Sequence, residues 1–211
     1  MVRDRVSGEF HGLTIDLGKH LASRLDIPLE LATYQRIAEV LAGIKAQDVD
    51  FTISNATPAR AADAAFSQML LSLELGYLVA AASKLKSIAG VDLPGVRVGV
   101  ALGSTSERTL PKMFDQAIVV SAPNLELAIA MLHRGELDVF ATNKPILFEM
   151  SDAMPGSRVL DGRWGEEHIA IAIPRGREQA MQYLHRFVDD VRTNGVLARI
   201  ADRAGLRGLV E

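Results

Sequence analysis

The chain has 211 residues, of which 48% are hydrophobic, and a formal net charge of -3; that is apolar material enough for one large domain or two small ones and no field for binding driven by phosphate neutralisation. It contains no cysteine, which excludes disulfide frameworks, thiolate zinc sites and cysteine nucleophiles together, and its 5% of aromatic residues form no base-stacking platform, so no nucleic-acid partner is expected. No apolar run approaches the roughly 20 residues of a membrane helix, so no direct membrane insertion is expected, and the opening MVRDRVSGEF lacks the apolar segment of a signal peptide.

The predicted elements alternate between helix and strand. Leu13, Leu17, Leu21 and Leu25 recur at fours and predict an amphipathic helix, after which Ile27 to Leu31 reads as a short strand. Ile37, Val40, Leu41 and Ile44 repeat the helical pattern before a second strand at 49–54. A second series starts at Gly95. VRVGVAL is a strand, GSTSERTLPKMF is a loop opening a helix, and AIVVS is a strand. Asn124 then caps a helix closed by Gly135, and LDVFAT follows as a strand. Strands separated by helices of this length predict an α/β fold with parallel sheet. Two apolar extended segments, 73–83 and 166–176, flank the second series, so the chain is expected to cross from one lobe to a second and return. That gives lobe one as 1–78 and 174–211 and lobe two as 79–173, with a ligand in the cleft between them.

Arg60 stands out in SNATPARAADAAFS, where Thr57 and Pro58 can open a helix. A guanidinium is a planar fork that matches a carboxylate with two hydrogen bonds, and it stands here beside helix N–H groups that favour anions; the plainer reading is a solvated surface arginine. In GSTSER the hydroxyls of Ser104, Thr105 and Ser106 and the backbone N–H groups can likewise face an anion or serve only as a helix cap. The lysine and spacing of a P-loop are absent, as is GxGxxG, so no nucleotide cofactor is expected. The five histidines are dispersed without metal-pair spacing, no GxSxG elbow occurs, and Glu166 and Glu167 would face opposite sides of a strand. No catalytic residue and no metal site emerge.

The TPAR element followed by FS, the later GST loop, and G-x-L-D-V-F beyond it resemble, in order and spacing, the periplasmic solute-binding proteins of amino-acid ABC transporters, the type II Venus flytrap family. The resemblance runs from GEFHGLTIDLGKHLASRL to GVLARIADRAGL. It implies a two-lobe α/β fold with two connecting hinge strands and a first strand lying upstream of GEFHG, hence a chain that starts late. It also implies a non-enzymatic, monomeric receptor without cofactor that closes on a small carboxylate in the periplasm and is read by a membrane permease.

Residue by residue, the resemblance puts the ligand carboxylate on Arg60 with Thr57 and Asn55, and on Ser104 and Thr105 at the second-lobe helix start. Tyr34, Gln35 and Phe10 fall in regions that wall the pocket, and Trp164 precedes the second hinge. Amino-acid binders place an acid five residues after the aspartate of LDVF to pair with the ligand ammonium; here that position is Asn143, which serves as ligand contact or as helix cap. An ammonium would then need Glu74, Glu107 or Glu166, or contact with water, whereas a ligand without one could take the Asn143 amide on a polar oxygen. Two other classes share the scaffold: a cyclohexadienyl or arogenate dehydratase-like enzyme, with Glu107 or Glu74 as its acid, and the sensing domain of a signalling receptor.

Overall fold

The computed structural model describes residues 2–3, 10–34 and 36–209. In chain order the elements are β1 (Val2–Arg3), β2 (Phe10–His11), α1 (Leu13–Arg24), α2 (Ile37–Ala46), β3 (Thr52–Asn55), α3 (Pro58–Ala61), β4 (Ala64–Phe66), β5 (Leu71–Val79), β6 (Arg97–Ala101), α4 (Thr105–Met113), β7 (Ile118–Ala122), α5 (Leu125–His133), β8 (Val139–Asn143), α6 (Lys144–Asp152), β9 (Arg158–Val159), β10 (Gly165–Pro174), α7 (Met181–Thr193) and α8 (Val196–Arg203). The chain divides into two compact units: Met1–Gln35, Glu39–Leu71 and His168–Leu206 form unit one, and Arg36–Ala38, Ser72–Glu167 and Arg207–Glu211 form unit two.

Unit one is built around the apolar end of β10. Ile169 to Ala172 pair antiparallel with β3, and Ala172 to Pro174 pair antiparallel with β4. Helix α1 turns Leu13, Leu17 and Leu21 inward at the fourfold spacing read from the sequence, and α7 answers with Leu184, Phe187, Val188 and Val191. Arg24 reaches Asp190 at 2.8 Å and lies over the Phe187 ring, tying α1 to α7, while α8 packs on both helices.

The strand expected at 27–31 does not form. Ile27 and Leu31 are 54% and 45% exposed, and Pro28 has no N–H to give a neighbouring strand. An apolar run reads as a strand only where a partner edge exists, and no strand is drawn beside it among the described residues. The parallel sheet expected for this half is also corrected: β3 and β4 find their partner in β10, which arrives late in the chain and runs the other way.

Unit two carries the parallel sheet. Strand β6 pairs parallel with β7 on one side and β8 on the other, and β8 pairs antiparallel with β5, which also takes β9. Side chains alternate with period two. Tyr77, Val79, Val98, Val100, Val139 and Ala141 pack on one face with Leu110 of α4. Leu78 and Phe140 pack on the other with Leu132 of α5 and Leu147 and Met150 of α6. A sheet covered on both faces is the usual home of parallel strands. Gly99 sits where the second face is tightest: a Cβ there would lie 2.4 Å from Leu137 Cδ1 and 2.9 Å from Phe140 Cδ2. At the starts of β6 and β8, Arg97 grips Asp138 through Nε and Nη2, both at 2.9 Å, and fixes their parallel register.

Candidate functional site

In unit one, three predicted residues meet on the turn from β3 into α3. Ala56 N–H donates to His168 O at 2.8 Å, which pins the turn to β10. Thr57 is extended, as an N-cap requires, and its Oγ1 accepts from Arg60 N–H at 3.2 Å, while Pro58 fills the first helical position, where no N–H is needed. Arg60 is only 7% exposed, and its Nη1 donates to Asn55 O at 3.0 Å. It is therefore no solvated surface arginine. An always-charged side chain is rarely held so far from water, and the turn holds its fork in place. Ser54, one residue before Asn55, is also 7% exposed, and its hydroxyl has no hydrogen-bond partner among the described residues.

In unit two, the predicted residues collect at one edge of the parallel sheet. Strand β6 ends at Ala101 and leads into α4, with Ser104 as N-cap accepting from Glu107 N–H at 3.2 Å. Glu107 returns the favour to Gly103 N–H at 2.7 Å and also takes the Ser121 hydroxyl, so it is a capping residue. Thr105 opens the helix. Next door, β8 ends at Asn143, the N-cap of α6. Because β6 and β8 are parallel neighbours, both helix starts lie at the same, C-terminal edge of the sheet, where open α/β sheets bind their ligands.

Asn143 uses both ends of its amide. Oδ1 accepts from Ile146 N–H at 3.3 Å, and Nδ2 donates to Glu167 Oε2 at 3.0 Å. The other acids weighed from the sequence have structural partners. Glu74 pairs with Lys144 Nζ and, at 3.3 Å, with Arg163; the Lys144 hydrogen bond is the main cause of a carboxyl held below the usual glutamate range, against the upward push of burial. Glu166 binds Arg163 at 3.1 Å and the Ser72 hydroxyl at 2.9 Å. Against this cluster lies the segment after α8. Gly208 O accepts from Glu74 N–H at 3.0 Å, Leu209 bridges to Leu73, and a Cβ on Gly208 would lie 2.4 Å from Lys144 Cβ.

Trp164 donates its indole N–H to Gly76 O at 3.0 Å and leans on Tyr77 at 6.2 Å, as part of unit two's packing. Tyr34 is half-buried with its hydroxyl over Gly43 of α2, and Phe10 is half-buried in β2. Gln35 lies outside the described residues. The sequence sets Glu166 and Glu167 aside together as a poor acid/base pair on opposite faces of a strand; the structure places Glu167 against the Asn143 amide.

Among the described residues no cluster of three metal-ligating side chains occurs, and no helix is long and apolar enough to cross a membrane. A groove of about 710 Å³ in unit two is lined by Lys84, Pro94, Val96, Leu137 and Asp138. These residues border the starts of β6 and β8, so the groove is at the sheet edge opposite Ser104 and Asn143.

Residues 2–206 match the family of bacterial extracellular solute-binding proteins, family 3. The chain belongs to that family. It is 23% identical over 193 residues to the ABC transporter glutamine-binding protein GlnH of Bacillus subtilis (strain 168), covering 90% of this chain and 70% of that one. It is 28% identical over 173 residues to a glutamine-binding protein of Geobacillus stearothermophilus, covering 78% of this chain and 64% of the relative. Among solved structures, an ancestral arginine-binding protein bound to glutamine superposes with a TM-score of 0.83 at 21% identity, over 95% of this chain and 90% of that one. The type II periplasmic-binding-protein fold is thereby established for this family 3 protein.

Proposed function

We propose that this protein captures a small carboxylate, an amino acid or a close relative of one, outside the cytoplasmic membrane, and presents it to the permease of an ABC transporter. The observation that carries the reading is Arg60, a buried guanidinium whose Nη1 is tied to Asn55 O on a capped turn. Thr57 and Asn55 frame that fork, and Ser104 and Thr105 offer the second unit's hydroxyls and helix start to the same anion. The proposed lobes are 1–78 with 174–211, and 79–173, with hinges in β5 and β10; the compact units change over within those strands, at 71/72 and 167/168, and count 207–211 with unit two. Glutamine is the first ligand to try, since both named relatives are glutamine-binding proteins. The protein works as a monomer and without a cofactor.

The reading is of a receptor and not an enzyme. The two acids that a dehydratase would draw on are committed elsewhere. Glu107 caps α4, and Glu74 is held ionised by Lys144, which makes it a poor proton donor at neutral pH. Prephenate and arogenate should therefore be left unchanged on incubation with the protein.

The test is calorimetry with the ligand that mass spectrometry identifies in the purified protein, or with glutamine. Arg60→Ala should weaken binding by about 2–5 kcal/mol if its charge pair with the carboxylate is desolvated. Unaltered affinity in that variant overturns the reading.

A further inference from the structure

Asn194 and Gly195 join α7 to α8 within unit one, away from the turn that carries Arg60 in the chain, and the capture of a solute does not call on them. We propose that Asn194 is a site of spontaneous covalent modification: its side-chain amide closes onto the Gly195 backbone nitrogen, and the cyclic imide so formed opens to aspartate and isoaspartate. The proposal is independent of the carboxylate-capture reading.

Four observations carry it. Asn194 is exposed, so water reaches its amide. Its Oδ1 accepts from Val196 N–H at 2.9 Å, which folds the side chain forward over the Asn194–Gly195 peptide, the side on which the ring must close. The same contact aims a backbone donor of the α8 N-terminus at the oxygen that turns negative when the amide carbon is attacked. The nucleophile is at liberty: Asn194 N–H is tied to Asp190 O at 2.9 Å, whereas Gly195 N–H donates to no acceptor among the described residues. Gly195 has a φ of 72° and no Cβ to screen its nitrogen; a side chain there would be strained and would meet Arg199 Nη1 at 3.2 Å. The chain's other asparagines lack this combination. Ala56 N–H, after Asn55, is held by His168 O at 2.8 Å, and Asn124 and Asn143 are followed by Leu125 and Lys144, whose side chains crowd the nitrogen that would have to attack.

The steps balance with water as the one co-reactant. Gly195 N forms a bond to Asn194 Cγ as its proton passes to solvent, the Cγ–Nδ2 bond breaks, and ammonia leaves. Water then adds to one of the two imide carbonyls. Opening at Cγ gives aspartate, whose carboxylate keeps the contact with Val196 N–H and gains from the helix dipole. Opening at the former main-chain carbonyl gives isoaspartate, in which that carbon becomes the free carboxylate; its oxygen is the one that Arg199 Nη1 holds at 3.3 Å. Either product adds one negative charge to a chain of net charge -3 and finds a donor already in place.

The experiment is incubation of the folded full chain in mildly alkaline buffer, below its melting temperature, beside the Asn194→Ser variant and a synthetic peptide of residues 192–199. Ion exchange separates the acidic form, and peptide mass spectrometry locates the exchange of ammonia for water. The wild type should convert at Asn194 to a mixture of aspartate and isoaspartate, at least about tenfold faster than at Asn55, Asn124 or Asn143, and Asn194→Ser should yield no such acidic form. Conversion in the folded chain more than about tenfold slower than in the peptide would mean that the fold protects the site, and overturns the proposal. So does aspartate without isoaspartate, the mark of direct hydrolysis, or an acidic form that accumulates equally in Asn194→Ser.

Discussion

At the scale of single residues, the arginine of TPAR shows what a local sequence can and cannot say. Its neighbours forecast the turn: Thr57 accepts from Arg60 N–H, and Pro58 sits where its missing N–H costs nothing. Its burial could not be read, because the enclosing elements come from elsewhere in the chain. Arg60→Lys should recover little of the affinity lost in Arg60→Ala, since an ammonium cannot make two parallel hydrogen bonds to one carboxylate; calorimetry giving lysine near-native affinity would remove the fork from the argument. Gly99 is a second such position, an unremarkable small residue in VRVGVAL whose Cβ would collide with Leu137 and Phe140. Both neighbours are buried side chains without room to withdraw, so Gly99→Ala should destabilise by about 1–3 kcal/mol through overpacking. Urea unfolding measures this, and an unchanged midpoint would mean that the sheet face is looser than its contacts suggest.

Among the elements, legibility followed the presence of local signals. Helix α1 was readable from its apolar spacing, α4 from the capping loop before it and α5 from both, signals that lie within a dozen residues, and Asn124 accepts from Leu127 N–H as its position suggested. Strands β6 and β8 were readable because a doubly covered sheet demands near-continuous apolar runs, and β7 carries such a run at the edge although Ile118 is exposed. The segment 27–31 satisfied the same pattern and failed, since composition does not report whether an edge is available. The ion cluster joining β5, α6 and β10 was equally invisible, being assembled from Glu74, Lys144, Arg163 and Glu166. Because Glu74's pKa is lowered in the folded state, its contribution to stability is present above the ordinary glutamate value of about 4.3 and is lost as pH falls through its lower folded value. Lys144→Met keeps the aliphatic stem beneath Gly76 and Gly208 but removes the charge. It should lower the melting temperature at pH 7, and the gap from wild type should close as the pH drops below about 4.3. A gap of constant size across that range would show that Lys144 acts by packing alone.

For the whole molecule, capture of a ligand is also a stability statement. A solute that binds only the folded state adds about 2.7 kcal/mol at one hundred times its dissociation constant. In a chain of this size that is a rise of about 5–10 °C in melting temperature. A thermal-shift screen of amino acids against non-amino carboxylates should thus single out the solute, and Arg60→Ala should flatten its response. Screening hits that shift the wild type and Arg60→Ala alike would point to a site away from this turn.

The order in which the two units are written along the chain has a consequence for biosynthesis. Unit two's strands β6 to β9 are all in hand once residue 167 has emerged, whereas unit one cannot pair β3 or β4 until β10 appears, nor bury α1 until α7 and α8 do. A chain delivered amino end first, from a ribosome or through an export channel, therefore holds the apolar face of α1 uncovered while the whole of unit two passes. At about 5–20 residues per second the stretch from 168 to 206 adds a further wait of about 2–8 s. Gly208 and Leu209, written after α8, then fasten onto Glu74 and Leu73, so a late-written segment completes the earlier-built unit, and α1 is the helix most in need of a chaperone's cover.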